Sequence, residues 1–122
     1  QSALARARQA AADDNLAAYF CHADVSELGF LAVEACLALD VGCFHALPLE
    51  RRPFYAASLA SRLAPGAAYL LYAHGPGDPE AGGPVGVGPV DIGELGLHFD
   101  LLSVTHGLDR GRPAAWYRMR RR

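Results

Sequence analysis

The sequence predicts one α/β domain in which parallel strands are flanked by helices and an antiparallel hairpin closes the chain. Two short unbroken apolar runs, residues 36–41 and 67–73, stand on either side of a segment with helical periodicity, which is the pattern of a strand–helix–strand unit. Two further runs, 100–106 and 114–119, are joined by the polar and turn-forming residues 107–113, as in a hairpin. With 122 residues, 52% of them hydrophobic and 20% charged, the chain can bury one core, so residues 1–122 are a single domain.

The elements follow in order. Ala3, Leu4, Ala7, Ala10 and Ala11 recur at helical spacing while Arg6, Gln9 and Asp13 lie elsewhere, which predicts an amphipathic helix over 2–12 with Ser2 available as its cap. A chain that opens inside a helical pattern also points to further residues upstream. Asp13-Asp14-Asn15 stops the helix, and 16–21 reads as a short apolar strand ending at His22-Ala23-Asp24. The run 36–41 is apolar up to its carboxylate, the pattern of a parallel strand covered on both faces. Gly42 breaks it. Over 49–63, Tyr55, Ala56, Leu59, Ala60 and Leu63 share a face opposite Arg51, Ser58 and Arg62, with Pro53 near the first turn and Pro65-Gly66 as the stop. The run 67–73 is then a second strand, parallel to 36–41, and both are expected to be central in the sheet. Residues 75–89 are rich in Gly and Pro and predict a mobile loop, with a short helical turn over 90–97.

Composition excludes several classes of function. No apolar run reaches the roughly 18 residues of a membrane span, and the N-terminal segment lacks a signal-peptide apolar region, so the expectation is a soluble, cytoplasmic chain with no membrane partner. Cys21, Cys36 and Cys43 are odd in number without a CxxC pair, and the histidines show no HxxxH spacing, so neither a disulfide framework nor a metal site is predicted. Every basic residue is Arg and the net charge is −2, which gives no field for nucleic acid. The closing group Arg118, Arg120, Arg121 and Arg122 reads as a solvated tail or the charged end of an edge strand.

Ligands of open α/β sheets bind beyond the carboxyl ends of the strands. Here those ends are Asp24, the 40–47 segment and His74. Asp24 either caps the turn Val25-Ser26-Glu27 or accepts from an exocyclic amine while the Val25 N–H donates to a ring nitrogen, chemistry that suits adenine. Asp40 and His45, five apart around Gly42, either orient a nucleophile and take its proton or serve the loop, the carboxylate binding loop N–H groups and the histidine partly buried near Phe44. His74 either lines the same cleft or is simply tolerated at a strand end. Cys43 lacks a Cys/His/Asn or Cys/His/Asp signature and is not read as a nucleophile.

The stretch Leu37-Ala38-Leu39-Asp40-Val41-Gly42-Cys43-Phe44-His45 strongly resembles class I S-adenosylmethionine-dependent methyltransferases, in particular the thiopurine and tellurite-resistance subgroup. Ala23-Asp24-Val25 resembles that family's motif after its third strand. Arg51-Arg52-Pro53-Phe54-Tyr55 through Leu63-Ala64-Pro65-Gly66 resembles its following helix and Pro-Gly corner, and residues 105–117 its terminal hairpin. Ala35-Cys36 replaces the family's usual Phe-Asp, and Ala67 its second corner glycine.

The resemblance implies a partial Rossmann-like sheet from a family order of 3-2-1-4-5-7-6, S-adenosylmethionine as cofactor, and a small-molecule methyl acceptor. It implies adenine binding by Asp24 with Val25 assisting through its backbone. Asp40, Cys43, Phe44 and His45 would shape the cofactor and acceptor pocket, with Asp40 and His45 nearest the chemistry, and His74 with 75–89 would form the acceptor side. The family's Gly-rich loop and the acidic residue ending its second strand have no counterpart, so the chain resembles a C-terminal portion. Without strands one and two, residues 16–21 are expected to pair directly beside 36–41, or the chain to self-associate through open edges. The alternative is a non-catalytic fragment or interaction module that binds no cofactor. A nicotinamide-dependent dehydrogenase shares the sheet but has no supporting motif.

Overall fold

The computed structural model describes residues 2–77 and 85–122. Helix α1 (Ala3–Asp13) is capped by Ser2, whose Oγ accepts from the Ala5 N–H at 3.1 Å. None of its residues is fully buried. The helix ends where Asn15 adopts a positive φ of 54° and the Leu16 N–H reaches back to the Ala11 carbonyl. This left-handed turn folds the following segment back toward α1, where the Phe20 carbonyl accepts from Arg8. Residues 16–21 therefore form no strand and do not pair beside 36–41, a correction of the sequence expectation. Their backbone finds no partner in the sheet, and Tyr19 is fully exposed.

The sheet has four strands, β1 (Ala35–Val41), β2 (Leu63–His74), β3 (Phe99–Asp109) and β4 (Arg112–Arg121), in the order β1-β2-β4-β3. Strands β1 and β2 are parallel, with Leu37 opposite Ala68 and Val41 opposite Tyr72, and both pairs made by β4 are antiparallel. This is the mixed α/β architecture expected, and its order matches the last four positions, 4-5-7-6, of the family order.

Three details differ. Strand β1 lies at the end of the described sheet rather than at its centre. Helix α3 (Arg52–Ser61), preceded by a 3₁₀ turn at Leu49–Arg51, stops before Pro65-Gly66, and β2 begins at Leu63. Pro65 and Gly66 instead sit in an irregular step, where the register jumps from Ala35 opposite Leu63 to Leu37 opposite Ala68. The hairpin strands extend through most of the predicted connection, leaving a tight turn at Arg110–Gly111.

The core lies on one face of the sheet. Tyr69, Leu71 and Ala73 of β2, Phe99 of β3 and Met119 of β4 pack with Tyr55, Ala56 and Ala60 of α3 and with Leu95 of α4 (Pro89–Leu95). Full burial of a side chain such as Leu71 stabilises by about 1.5–3 kcal/mol. The alternation of β1 sends Asp40 into this core and Leu37, Leu39 and Val41 to the opposite face, where each is more than half exposed. The expected two-sided cover of β1 is thus absent among the described residues, because both described helices of the core occupy the Asp40 side.

The terminal arginines do not end an edge strand, but Arg118, Arg120 and Arg122 are exposed to solvent. Strand β4 is interior, the Arg121 Nε donates to the Ala60 carbonyl at 2.8 Å, and Arg120 and Arg122 both pair with Asp100. The loop predicted over 75–89 is irregular at its described ends, 78–84 lie outside the described residues, and the short helix expected near 90–97 is α4. Among the described residues, no helix is long and apolar enough to cross a membrane.

Candidate functional site

The parallel pair β1–β2 delivers Asp40 and His74 to the same end of the sheet, and the short helix α2 (Cys43–Ala46) begins two residues beyond β1. Gly42 makes that turn with a φ of 87°, a conformation in which a side chain would be strained.

Asp40 builds the turn. It is buried, and its carboxylate accepts from the N–H of Cys43 at 2.8 Å, the N–H of Phe44, the Tyr55 hydroxyl at 2.6 Å and the Tyr69 hydroxyl at 3.4 Å. A buried carboxylate needs such donors, since desolvation otherwise favours its neutral form. The Tyr55 and Tyr69 phenols are pushed far above the ordinary range, chiefly by burial, with the Asp40 charge adding to it. Both hydroxyls thus remain donors. Of the two sequence readings of Asp40, this geometry is the loop-binding one.

His45 is buried beside this turn. Its Nδ1 accepts from the backbone N–H of His74 at 2.9 Å, so the neutral ring carries its proton on Nε2. Burial first, then the proximity of His74, lowers its pKa below the usual 6.5. A ring held in this way cannot take a proton at Nδ1 without losing the His74 bond. In this tautomer it is an Nε2–H donor, and of the two sequence readings of His45 the geometry is that of a buried ring serving the turn.

His74 stacks on His45 with centroids 4.7 Å apart and planes 16° from parallel. Its Nε2 lies 2.9 Å from the Asp109 Oδ2, which also accepts from the Tyr72 hydroxyl at 2.8 Å. These two hydrogen bonds, His74 first, hold the Asp109 carboxyl below the usual range, so it is an anion at neutral pH and His74 Nε2 is the donor. The second nitrogen, His74 Nδ1, is buried and has no hydrogen-bond partner among the described residues. The arrangement sets the Nε2–H of His45 beside a His74 ring whose own Nε2–H is taken by a carboxylate.

Other predicted residues serve differently. Phe44, expected against an acceptor, is fully buried and packs between the Tyr55 ring, 5.6 Å away, and the Arg52 guanidinium, 5.3 Å from its centroid. Its aromatic surface is core, not cleft. The Cys43 thiol is half-buried, and burial together with Asp40 raises its pKa, which keeps it protonated. Asp24 lies at the start of a turn, its Oδ1 accepting from the N–H and hydroxyl of Ser26 at 2.9 and 2.6 Å and its Oδ2 from Arg51. The Ser26 hydrogen bonds, with Arg51 contributing less, lower its pKa. Asp24 caps its turn and remains half-exposed. Val25 packs against the core.

Sequence reasoning missed Asp109, Tyr72 and Arg52. Asp109 meets His74 only because β4 aligns the hairpin end with the end of β2, a pairing 35 residues apart that no local spacing encodes. Arg52 is almost fully buried: its Nε donates to the Leu47 carbonyl at 3.2 Å, Nη1 to that of Gly86 at 2.7 Å and Nη2 to that of His45 at 2.9 Å, while Asp91 lies 3.0 Å from Nη1. An arginine in the charged stretch Glu50-Arg51-Arg52 carries no sequence signal of burial. Among the described residues, no group of three or more His, Cys, Asp or Glu side chains is placed to hold a metal.

No protein-family model matches the chain. No curated protein sequence matches it. Solved structures do match. The structure solved for the conversion of a disulfide bond into a thioacetal group during echinomycin biosynthesis is similar with a TM-score of 0.77 at 20% identity, covering 98% of this chain and 62% of that one. TehB from Haemophilus influenzae is similar with a TM-score of 0.71 at 15% identity, covering 97% and 46%. The N-methyltransferase NodS from Bradyrhizobium japonicum WM9, in complex with S-adenosyl-L-homocysteine, is similar with a TM-score of 0.66 at 16% identity, covering 81% and 52%. The chain therefore spans less than two thirds of each of these structures, and at such identities the likeness is one of fold, a methyltransferase-like α/β sheet.

Proposed function

We propose that this chain forms part of an S-adenosylmethionine-dependent methyltransferase of class I, of the thiopurine and tellurite-resistance type, and supplies the adenine contact and the acceptor side of its site. The observation that carries this reading is the polar cluster at the carboxyl ends of β1 and β2, on a sheet whose fold is shared with an S-adenosyl-L-homocysteine-bound N-methyltransferase. In this reading the Gly-rich loop that grips the cofactor belongs to the remainder of a longer enzyme. The chain's coverage of only 62% of the echinomycin-biosynthesis structure is compatible with that.

The residues present fit the adenine end of the cofactor. Asp24 is an exposed anion with lone pairs beyond those taken by Ser26 and Arg51, suited to an exocyclic amine, and Val25 offers its backbone beside it. The cofactor supplies an electrophilic methyl carbon on a sulfonium sulfur. Catalysis then rests largely on holding an acceptor in line. Asp40 fixes the turn that carries Cys43 and His45, the His45 Nε2–H donates to a polar atom of the acceptor, and the Asp109 carboxylate holds the His74 ring in its stack against His45 by accepting its Nε2–H.

Calorimetric titration of S-adenosylmethionine tests the reading, first on the chain alone and then on a protein that joins it to upstream strands bearing a Gly-rich loop. The expected result is micromolar binding by the joined protein, weakened at least tenfold by Asp24→Ala. Absence of binding in both forms overturns the reading, and binding indifferent to Asp24→Ala removes Asp24 from the site.

A further inference from the structure

A cavity of about 450 Å³ lies between the start of α3, the 85–88 segment and α4, walled by Leu49, Pro53, Pro76, Val85, Pro89 and Val90. Its size falls within the range of small-molecule sites, and its walls are mostly apolar. Among the described residues, three charged side chains line it: Arg52, Asp91 and Glu94.

Two of them cancel. Asp91 Oδ1 lies 3.0 Å from Arg52 Nη1 and Asp91 Oδ2 accepts from the Gly88 N–H at 2.9 Å, while the guanidinium is almost fully buried and already bonded to three carbonyls. Arg52 thus presents no free face to an anion. Glu94, one helical turn beyond Asp91 on α4, is half-buried and makes no side-chain hydrogen bond or ion pair to another described residue. Among the described residues, the cavity therefore holds one net negative charge against apolar walls. A carboxylate removed from part of its water and left unpaired favours a cation that replaces that water.

We propose that this cavity binds a small apolar molecule bearing a protonated amine, with Glu94 as its counter-charge and the proline and aliphatic side chains around its hydrocarbon. The cavity shares Arg52 with the 43–47 turn, since the same guanidinium bonds the carbonyls of His45 and Gly86. In the methyltransferase reading, on which this assignment alone rests, the occupant is the methyl acceptor or its recognition end, whereas the binding itself does not depend on that reading.

The test uses three probes of similar shape, benzylamine, benzyl alcohol and benzoate, titrated at neutral pH into the chain and its Glu94→Gln variant and followed by amide NMR shifts. Benzylamine is expected to bind at least tenfold more tightly than benzyl alcohol, and benzoate more weakly than either, with shifts concentrated at Val85, Val90 and Glu94. Glu94→Gln is expected to bring benzylamine to the level of benzyl alcohol and leave the alcohol unchanged. Equal binding of the three probes, no binding, or a preference that survives Glu94→Gln overturns the proposal. Failure of the methyltransferase reading shows separately, as amine binding by a protein that takes no S-adenosylmethionine in calorimetry.

Discussion

The backbone N–H of His74 donates to Nδ1 of His45 at 2.9 Å, and the two imidazoles stack 4.7 Å apart. One hydrogen bond thereby fixes the tautomer of a buried ring and ties α2 to the end of β2.

Burial of that ring, with His74 close beside it, makes stability depend on pH in a definite direction. The pKa of His45 is lowered in the fold relative to its usual 6.5, so in the window below that value the unfolded chain binds more protons than the native one. Stability is full above the window and falls as pH drops through it, by at most about 1.4 kcal/mol per pH unit. Urea unfolding at pH 7.5, 6.5 and 5.5 measures this. His45→Gln, which keeps an acceptor for the His74 N–H without a titrating group, is expected to flatten the slope, and an unchanged slope assigns it to another group.

Arg52 holds three chain segments together, α2 through His45 and Leu47, the 85–88 segment through Gly86, and α4 through Asp91. Arg52→Met removes the cation and leaves three carbonyls and a carboxylate short of donors, an expected loss of about 3–5 kcal/mol. Arg52→Lys recovers little of this, because an ammonium cannot reproduce the planar fork. Denaturant midpoints of both variants decide it, and a midpoint within error of the parent contradicts the assignment.

Asp40 and its two phenols predict an alkaline signature. Of the five tyrosines, Tyr55 and Tyr69 are expected to stay protonated in the folded chain where ordinary phenols ionise. Phenolate absorbance at pH 11 should fall short of the value in urea by at least two residues. Tyr55→Phe takes a donor from a buried carboxylate and is expected to destabilise by about 1–3 kcal/mol.

Gly86 approaches Gly75 so closely that an added Cβ would lie 2.0 Å from the Gly75 carbonyl oxygen, and its φ is 79°. Gly86→Ala incurs about 1–3 kcal/mol of backbone strain besides the clash. The expected reading is lost hydrogen-exchange protection at the Val87 amide, which donates to the His74 carbonyl at 2.8 Å. Retained protection would show that the segment can shift without loss.

Much of the fold was legible locally. The apolar runs at 36–41 and 67–73, the face formed by Tyr55, Ala56 and Ala60, and the capped start at Ser2 are all set by periodicities of two and 3.6 and by short-range hydrogen bonding. The 16–21 run misled because apolar composition marks a strand only where a neighbouring strand supplies backbone partners, and the turn at Asn15 carries those residues back to α1 instead. Pro65-Gly66 misled because the pair both ends helices and interrupts strands, and only pairing with β1 decides between them.

The sequence by itself determined the strand–helix–strand unit, the closing hairpin and the placing of Asp40, His45 and His74 at strand ends, since each depends on residues within a few positions of one another. The tertiary structure alone decided what those side chains do. It put Asp109 on His74, turned His45 into a donor and buried Arg52 beneath a cavity left with the charge of Glu94. Those outcomes depend on pairings between residues tens of positions apart and on which water each charge loses, and neither is written in local spacing.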